Sequence, residues 1–132
     1  MFVGSFLRKK KEIEVQQQEV SVTDLENICG EDKEVCMALW HTMFLDPRKI
    51  GATLAEAAKK AAELEKKKDT KMARTWYHIA GGLALWKGDA EKVKKYFSKC
   101  AKLAPEMGYE TVLKIPEKAV EKAQEYYKKY LK

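Results

Sequence analysis

The 132-residue sequence lacks the marks of several large classes of protein. No apolar run approaches the roughly 20 residues that a membrane-spanning helix requires. The apolar start is followed by basic residues, whereas a secretory signal places its basic residues first. The three cysteines form no CxxC pair and, with the two histidines, no zinc-binding spacing. We therefore predict a cytoplasmic protein that does not insert into membranes and uses no metal or cofactor.

Signatures of catalysis are equally scarce. The sequence contains no glycine-rich phosphate loop and no metal triad. None of its serines, at positions 5, 21 and 98, lies in a turn with a histidine placed beside it by the sequence. We predict a protein that is not an enzyme and has no catalytic residues.

Cys29, Cys36 and Cys100 are predicted to be ordinary buried thiols. Cys29 and Cys36 are seven positions apart, but Gly30 lies between them and is expected to end a helix. Asparagine and glutamine are rare beside many lysines and glutamates, a bias typical of proteins from hot environments. Intracellular disulfides are less exceptional in hyperthermophiles, so the sequence leaves a Cys29–Cys36 disulfide open.

Helical periodicity dominates the rest of the sequence and predicts an all-α fold. Residues 1–20 show no sustained period, so we expect a flexible or extended arm followed by a single helical domain over residues 21–132. The helix stops are marked by glycine and proline. The predicted helices are a short one ending at Gly30, then 33–45, 50–67, 70–87, 90–103 and 116–131.

Two adjacent glycines interrupt the predicted helix 70–87, although each costs roughly 1 kcal/mol relative to alanine. The short turn before helix 90–103 forces the two helices to pack antiparallel. We predict that Ala80, Gly81 and Ala84 form a shallow strip on the first helix. The second helix would enter this strip through Val93, Phe97 and Cys100. Gly82, one position further round, would face the other way and leave a notch.

Residues 74–107 contain aromatic, small and apolar side chains at a characteristic spacing: Tyr77, Ala80, Gly81, Val93, Phe97 and Pro105, with Gly88 at the turn. This spacing resembles that of a tetratricopeptide repeat. Ala80, Val93 and Ala84 stand where that family prefers leucine, alanine and tyrosine, but each keeps the burial of the position. The resemblance implies a short α-solenoid of antiparallel hairpins, with helices 33–45 and 50–67 upstream and helix 116–131 closing it.

The same resemblance implies a groove that binds an extended peptide or a partner helix. Its positions in this sequence are Thr75, His78, Gly82 and Leu85, which do not match the lysine and asparagine clamp that some members use for a C-terminal carboxylate. His78 is either a titratable groove residue or a partly buried structural histidine. We predict a protein-binding scaffold or adaptor.

Two aromatic residues of helix 33–45 bear on the oligomeric state. Trp40 and Phe44 are expected to anchor the core. If the upstream hairpin is incomplete, they would form an apolar surface that favours a homodimer, since large apolar patches are rarely left exposed to water.

The charge distribution supports an alternative function. The formal net charge is +6, and lysines form ridges opposite the apolar faces of the last two long helices. Such ridges could follow the backbone of RNA or DNA. Glutamates four residues before several lysines favour a solvated helix surface instead, and arginine is rare. The ridge residues are Lys92, Lys95, Lys99, Lys102, Lys118, Lys122 and Lys129.

Overall fold

The structure, a computed structural model, describes residues 22–43 and 46–131. The predicted arm over residues 1–20 and the predicted core residue Phe44 lie outside this part of the chain. The described residues fold into α-helices with no strand, which confirms the all-α prediction. The helices are α1 (Val22–Cys29), α2 (Lys33–Thr42), α3 (Leu54–Lys66), α4 (Thr70–Lys87), α5 (Ala90–Leu103), α6 (Glu110–Lys114) and α7 (Pro116–Tyr130), with 3₁₀ turns at Pro47–Lys49 and Pro105–Met107.

Local capping determines where the central helices begin and end. The carboxylates of Asp69 and Asp89 accept hydrogen bonds from backbone N–H groups in the first turns of α4 and α5. Gly88 ends α4 with a left-handed φ of 74°. Thr53 and Glu56 form a reciprocal capping box, so α3 begins at Leu54 rather than at position 50 as predicted.

Helices α3, α4 and α5 form the largest packed unit, with α4 in the middle. The short α3–α4 and α4–α5 connections make neighbouring helices antiparallel. Gly81 lies on the α5 side of α4, where a Cβ atom would fall 2.6 Å from Cζ of Phe97. The prediction that Gly81 permits close packing against Phe97 is therefore confirmed.

Helix α7, at the C-terminal end of the described chain, packs against α1 and α2 at the N-terminal end and also against α4 and α5. Helix α2 packs on α1, α6 and α7, so the predicted upstream hairpin of helices 33–45 and 50–67 is wrong. The turn that begins at Asp46 and Pro47 lies between α2 and α3 and separates the two helices. Buried Asp46 fixes this turn by accepting hydrogen bonds from the backbone N–H of Arg48 at 2.9 Å and from its Nη2 at 2.6 Å.

One cluster of buried apolar side chains runs from Leu25 to Tyr127. Trp40 is partly buried and packs against this cluster. Among residues 22–43 and 46–131, no helix has the length and apolar character needed to span a membrane.

Candidate functional site

The four predicted groove residues do not form an open groove. Leu85 is fully buried and cannot line one as predicted. Gly82 faces the carbonyl oxygen of Thr42, which would lie 3.9 Å from an added Cβ. Thr75 is partly exposed, and its hydroxyl donates to the carbonyl of Lys71 at 3.0 Å. Only part of this face therefore reaches solvent.

The chain itself covers the face around Gly82. A cavity of about 30 Å³ remains there, and its lining includes Met43, Pro47, Ile50 and Tyr127. Such a volume holds about one or two water molecules, whereas a peptide needs far more room. The predicted notch at Gly82 is therefore a small, partly covered pocket, because distant segments pack over a face that the repeat pattern alone leaves bare.

His78 belongs to a hydrogen-bonded cluster beneath that face. Its Nδ1 lies 2.9 Å from the hydroxyl oxygen of Tyr109, which also accepts a hydrogen bond from Nη1 of Arg74 at 3.0 Å. The ring of Phe97 meets the His78 ring edge-on at 5.4 Å between centroids and stacks on Tyr109 at 5.9 Å. The cluster joins α4, α5 and the segment before α6, so the structural role considered for His78 agrees with these contacts.

His78, Tyr109 and the neighbouring Cys100, whose thiol donates to the backbone carbonyl of Arg74 at 3.6 Å, are held in their uncharged forms. Burial, assisted by the charge of Arg74, lowers the pKa of His78 from 6.5 to about 4. Burial raises the pKa of the Cys100 thiol to about 12 and also raises the pKa of Tyr109. At neutral pH the imidazole, thiol and phenol are therefore all neutral, and the cluster serves packing better than proton transfer.

The predicted lysine ridges approach different neighbours. Lys118 forms a salt bridge with Asp32, which precedes α2. Nζ of Lys122 lies 3.1 Å from Oε2 of Glu125 on the same helix. Lys99, in contrast, lies over the ring of Tyr77 on α4, 5.9 Å from its centroid. The other ridge residues, Lys92, Lys95, Lys102 and Lys129, are all exposed. Two of them lie over the ring of the next residue in the chain. Nζ of Lys95 is 5.5 Å from the centroid of the Tyr96 ring, and Nζ of Lys129 is 5.4 Å from the centroid of the Tyr130 ring.

The aromatic rings beside the α5 ridge offer little surface for base stacking. Tyr77 and Tyr96 are only 4% and 7% exposed, and they stack on one another. The Trp76 ring has Lys60 4.6 Å from its centroid. The α5 ridge therefore provides charge without an open aromatic platform.

An open groove lies instead where the end of α4 meets the second half of α7. We call it the α4–α7 groove, and its volume is about 570 Å³. This volume falls within the roughly 300–1,000 Å³ typical of ligand sites. Apolar and charged side chains both line the groove, and they are Trp86, Glu121, Gln124, Glu125, Tyr127, Lys128 and Leu131.

Specific contacts hold the walls of the α4–α7 groove in place. The side-chain amide of Gln124 donates to the backbone carbonyls of Leu85 at 2.6 Å and Trp86 at 3.0 Å, which satisfies the end of α4. The Trp86 and Tyr127 rings meet edge-on at 4.9 Å between centroids. A partner entering this groove would therefore meet an aromatic wall that is already ordered.

Sequence reasoning missed this groove because its walls come from segments far apart in the chain. The available signal was the position of Trp86, just before the helix stop at Gly88. The partner positions on α7 follow an ordinary amphipathic pattern and do not stand out.

Comparison with known proteins gives no match to a family model, to a curated protein or to a solved structure. Within residues 22–43 and 46–131, histidine, cysteine and acidic side chains do not gather in the groups of three that could hold a metal ion.

Proposed function

We propose that the protein is a cytoplasmic, non-catalytic interaction module that holds a peptide or helix of another protein in the α4–α7 groove. The observation that carries this proposal is the open groove of about 570 Å³ with Trp86 on one wall and α7 on the other. Aromatic side chains in such positions dominate the energetics of many protein interfaces. The ordered walls reduce the entropic cost of binding.

The resemblance of residues 74–107 to a tetratricopeptide repeat gives additional support. That family presents helix surfaces to peptides, and the resemblance makes a helical scaffold the natural class for this chain. The binding surface differs from the predicted one, since Leu85 is buried whereas Trp86, the next residue, borders the open groove.

The test uses a displayed library of random peptides selected against the immobilised protein. Peptides enriched on the wild type should bind at least about tenfold more weakly to Trp86→Ala and to Leu131→Asp. Met72→Ala is the matched control, because Met72 is an exposed apolar residue on the same helix, outside the groove lining. Circular dichroism should show that the helices of each variant persist. Peptides that bind the wild type and Trp86→Ala equally would refute the site.

Binding of RNA or DNA is the second candidate, favoured by the exposure of Lys92, Lys95 and Lys102 along α5. Electrostatic binding should fall steeply between about 50 and 200 mM salt. It should also weaken when the three lysines are changed to glutamate. If mixed-sequence RNA does not bind even at low salt, this candidate is excluded.

A further inference from the structure

The charge of the α4–α7 groove changes from one end to the other. Along α7 its lining begins with Glu121 and Glu125, continues with Lys128 and ends at Leu131, which directly follows the helix. With a rise of about 1.5 Å per residue, Glu121 and Lys128 are roughly 10 Å apart along the helix axis. Two carboxylates therefore stand at one end of the groove, and a lysine and a leucine stand at the other.

The end of α4 adds negative potential to the groove. The C-terminus of a helix carries a partial negative charge, and α4 ends at Lys87, one residue after Trp86 in the groove wall. The Lys87 side chain is exposed and is not part of the lining. Gln124 binds the carbonyls of Leu85 and Trp86 through a neutral amide, so this contact adds no positive charge. A cationic ligand is therefore favoured here, although the formal net charge of the chain is +6.

The lysines of α7 leave the two carboxylates available to a ligand. Lys118, one turn before Glu121, forms its salt bridge with Asp32. Lys122 lies 3.1 Å from Glu125, but the Glu125 side chain is 47% exposed. Exposed pairs of this kind contribute little free energy, so an arriving cation can share or replace the lysine.

Trp86 presents an aromatic ring beside these carboxylates. It is partly exposed, and its edge-on contact with Tyr127 holds it in place. Tryptophan offers the most favourable ring face for a cation. In the part of the chain that the structure describes, lysines lie over four other rings and not over that of Trp86; the covered rings are those of Trp76, Tyr77, Tyr96 and Tyr130.

We infer that the α4–α7 groove recognises an arginine side chain of the bound peptide, whose guanidinium lies on the Trp86 ring and donates hydrogen bonds to Glu121 and Glu125. This specificity rests on the proposed peptide-binding function, because it concerns the same groove. Arginine fits better than lysine, since its planar guanidinium stacks on an aromatic face and presents several N–H donors in a fixed geometry. Acidic peptides are disfavoured because the two carboxylates repel them.

The other end of the groove sets the position of an apolar residue in the same peptide. Glu125 and Leu131 are separated by about 9 Å along the direction of α7, which an extended peptide spans with about three residues. An apolar side chain about three residues from the arginine therefore reaches Leu131. Lys128 repels a cation from that end, so the arginine is directed to the acidic end.

The experiment uses the full chain and three displayed peptide libraries. In each library a leucine is fixed three residues after a second fixed residue, which is arginine, glutamine or glutamate, and all other positions are random. The arginine library should give the most binders that are lost on Trp86→Ala. The best of them is then synthesised with a fluorescent label in three forms, which carry arginine, lysine or the neutral analogue citrulline at the fixed position. Fluorescence anisotropy measures the affinity of each form.

Citrulline should weaken binding to the wild type by at least about fivefold, and lysine by at least about twofold. The double variant Glu121→Gln, Glu125→Gln should weaken binding of the arginine form by a similar factor of about five and should leave the citrulline form within about twofold. The double variant Glu63→Gln, Glu106→Gln is the matched control. It removes the same charge from two exposed positions outside the lining and should bind the arginine form as the wild type does. Circular dichroism should show that the helices of both variants persist.

Three results would overturn the arginine specificity while binding still depends on Trp86, and they leave the proposed function intact. They are preferential enrichment of the glutamate or glutamine library, equal binding of the arginine form and either of the other two forms, and equal binding of the arginine form to the wild type and to Glu121→Gln, Glu125→Gln. If no library yields a peptide that distinguishes the wild type from Trp86→Ala, the proposed function fails and the arginine specificity fails with it.

Discussion

Substituting alanine for each of the adjacent glycines of α4 should change stability in opposite directions. At Gly81 the new Cβ would lie 2.6, 2.7 and 2.8 Å from three atoms of the Phe97 ring. Ordinary carbon contacts are about 3.5–4.0 Å, so the ring or the helix must move by roughly 1 Å. Phe97 is fully buried between His78 and Tyr109 and cannot move freely. Such overpacking costs about 1–3 kcal/mol.

Gly82→Ala is the matched control, because it gives the same gain in helix propensity, about 0.5–1 kcal/mol, without the clash. Its nearest neighbour is the Thr42 carbonyl oxygen at 3.9 Å, an ordinary contact distance. Gly82→Ala should therefore stabilise the protein. Since the propensity gains cancel, the difference between the two variants measures the packing cost at Gly81, which we expect to be about 1–3 kcal/mol.

Equilibrium urea unfolding followed by circular dichroism measures both free energies of unfolding. A double-mutant cycle that combines Gly81→Ala with Phe97→Leu should show a favourable coupling of about 0.5–3 kcal/mol, because the smaller side chain relieves the clash. If Gly81→Ala stabilises the protein as much as Gly82→Ala does, the close contact between α4 and α5 is not the reason for this glycine.

Three further predictions concern buried polar groups, each measured by urea unfolding. The pKa of His78 is about 4 in the folded protein against 6.5 in the unfolded chain. Neutral His78 therefore contributes fully to the free energy of unfolding above pH 6.5, and this contribution is lost as the pH falls toward 4. The free energy of unfolding should fall by about 3 kcal/mol over this range. The variant His78→Phe should show a weaker dependence of the free energy of unfolding on pH. An unchanged pH dependence in this variant would contradict the prediction. Tyr109→Phe removes the hydroxyl that joins Arg74 to His78 and should cost about 1–3 kcal/mol. Tyr130→Phe, at a partly exposed position, should stay within about 0.5 kcal/mol. Asp46→Ala removes the buried acceptor of the 47–49 turn and should likewise cost about 1–3 kcal/mol, whereas an unchanged stability would show that the turn holds without it.

The helices were predictable wherever local chemistry marks their ends. Asp69, Gly88 and Asp89 bound α4 and α5 through hydrogen bonds within a few residues, and both helices lie where the sequence predicts them. The start of α3 was predicted too early because Ile50 continued the apolar period. The Thr53–Glu56 capping box was present in the sequence and would have corrected it.

The same patterns could not predict which helix faces are covered by segments that lie far away in the sequence. Gly82 occupies its expected position on α4, but whether that face is open depends on Met43, Pro47, Ile50 and Tyr127. The role of Tyr109 was missed for a related reason. It follows Gly108 in a stretch without helical period, and its hydrogen-bonding partners lie on α4, a full helix away in sequence.

The position of α7 has a consequence for how quickly the chain folds. Helices α3, α4 and α5 contact their neighbours in sequence, whereas α7 contacts α1 and α2 near the opposite end of the described chain. Contacts between remote positions require a large loop to close before any stabilisation is gained. Refolding should therefore be limited by the arrival of the N-terminal pair on α7, and the Asp32–Lys118 ion pair should form only after the central three helices are assembled.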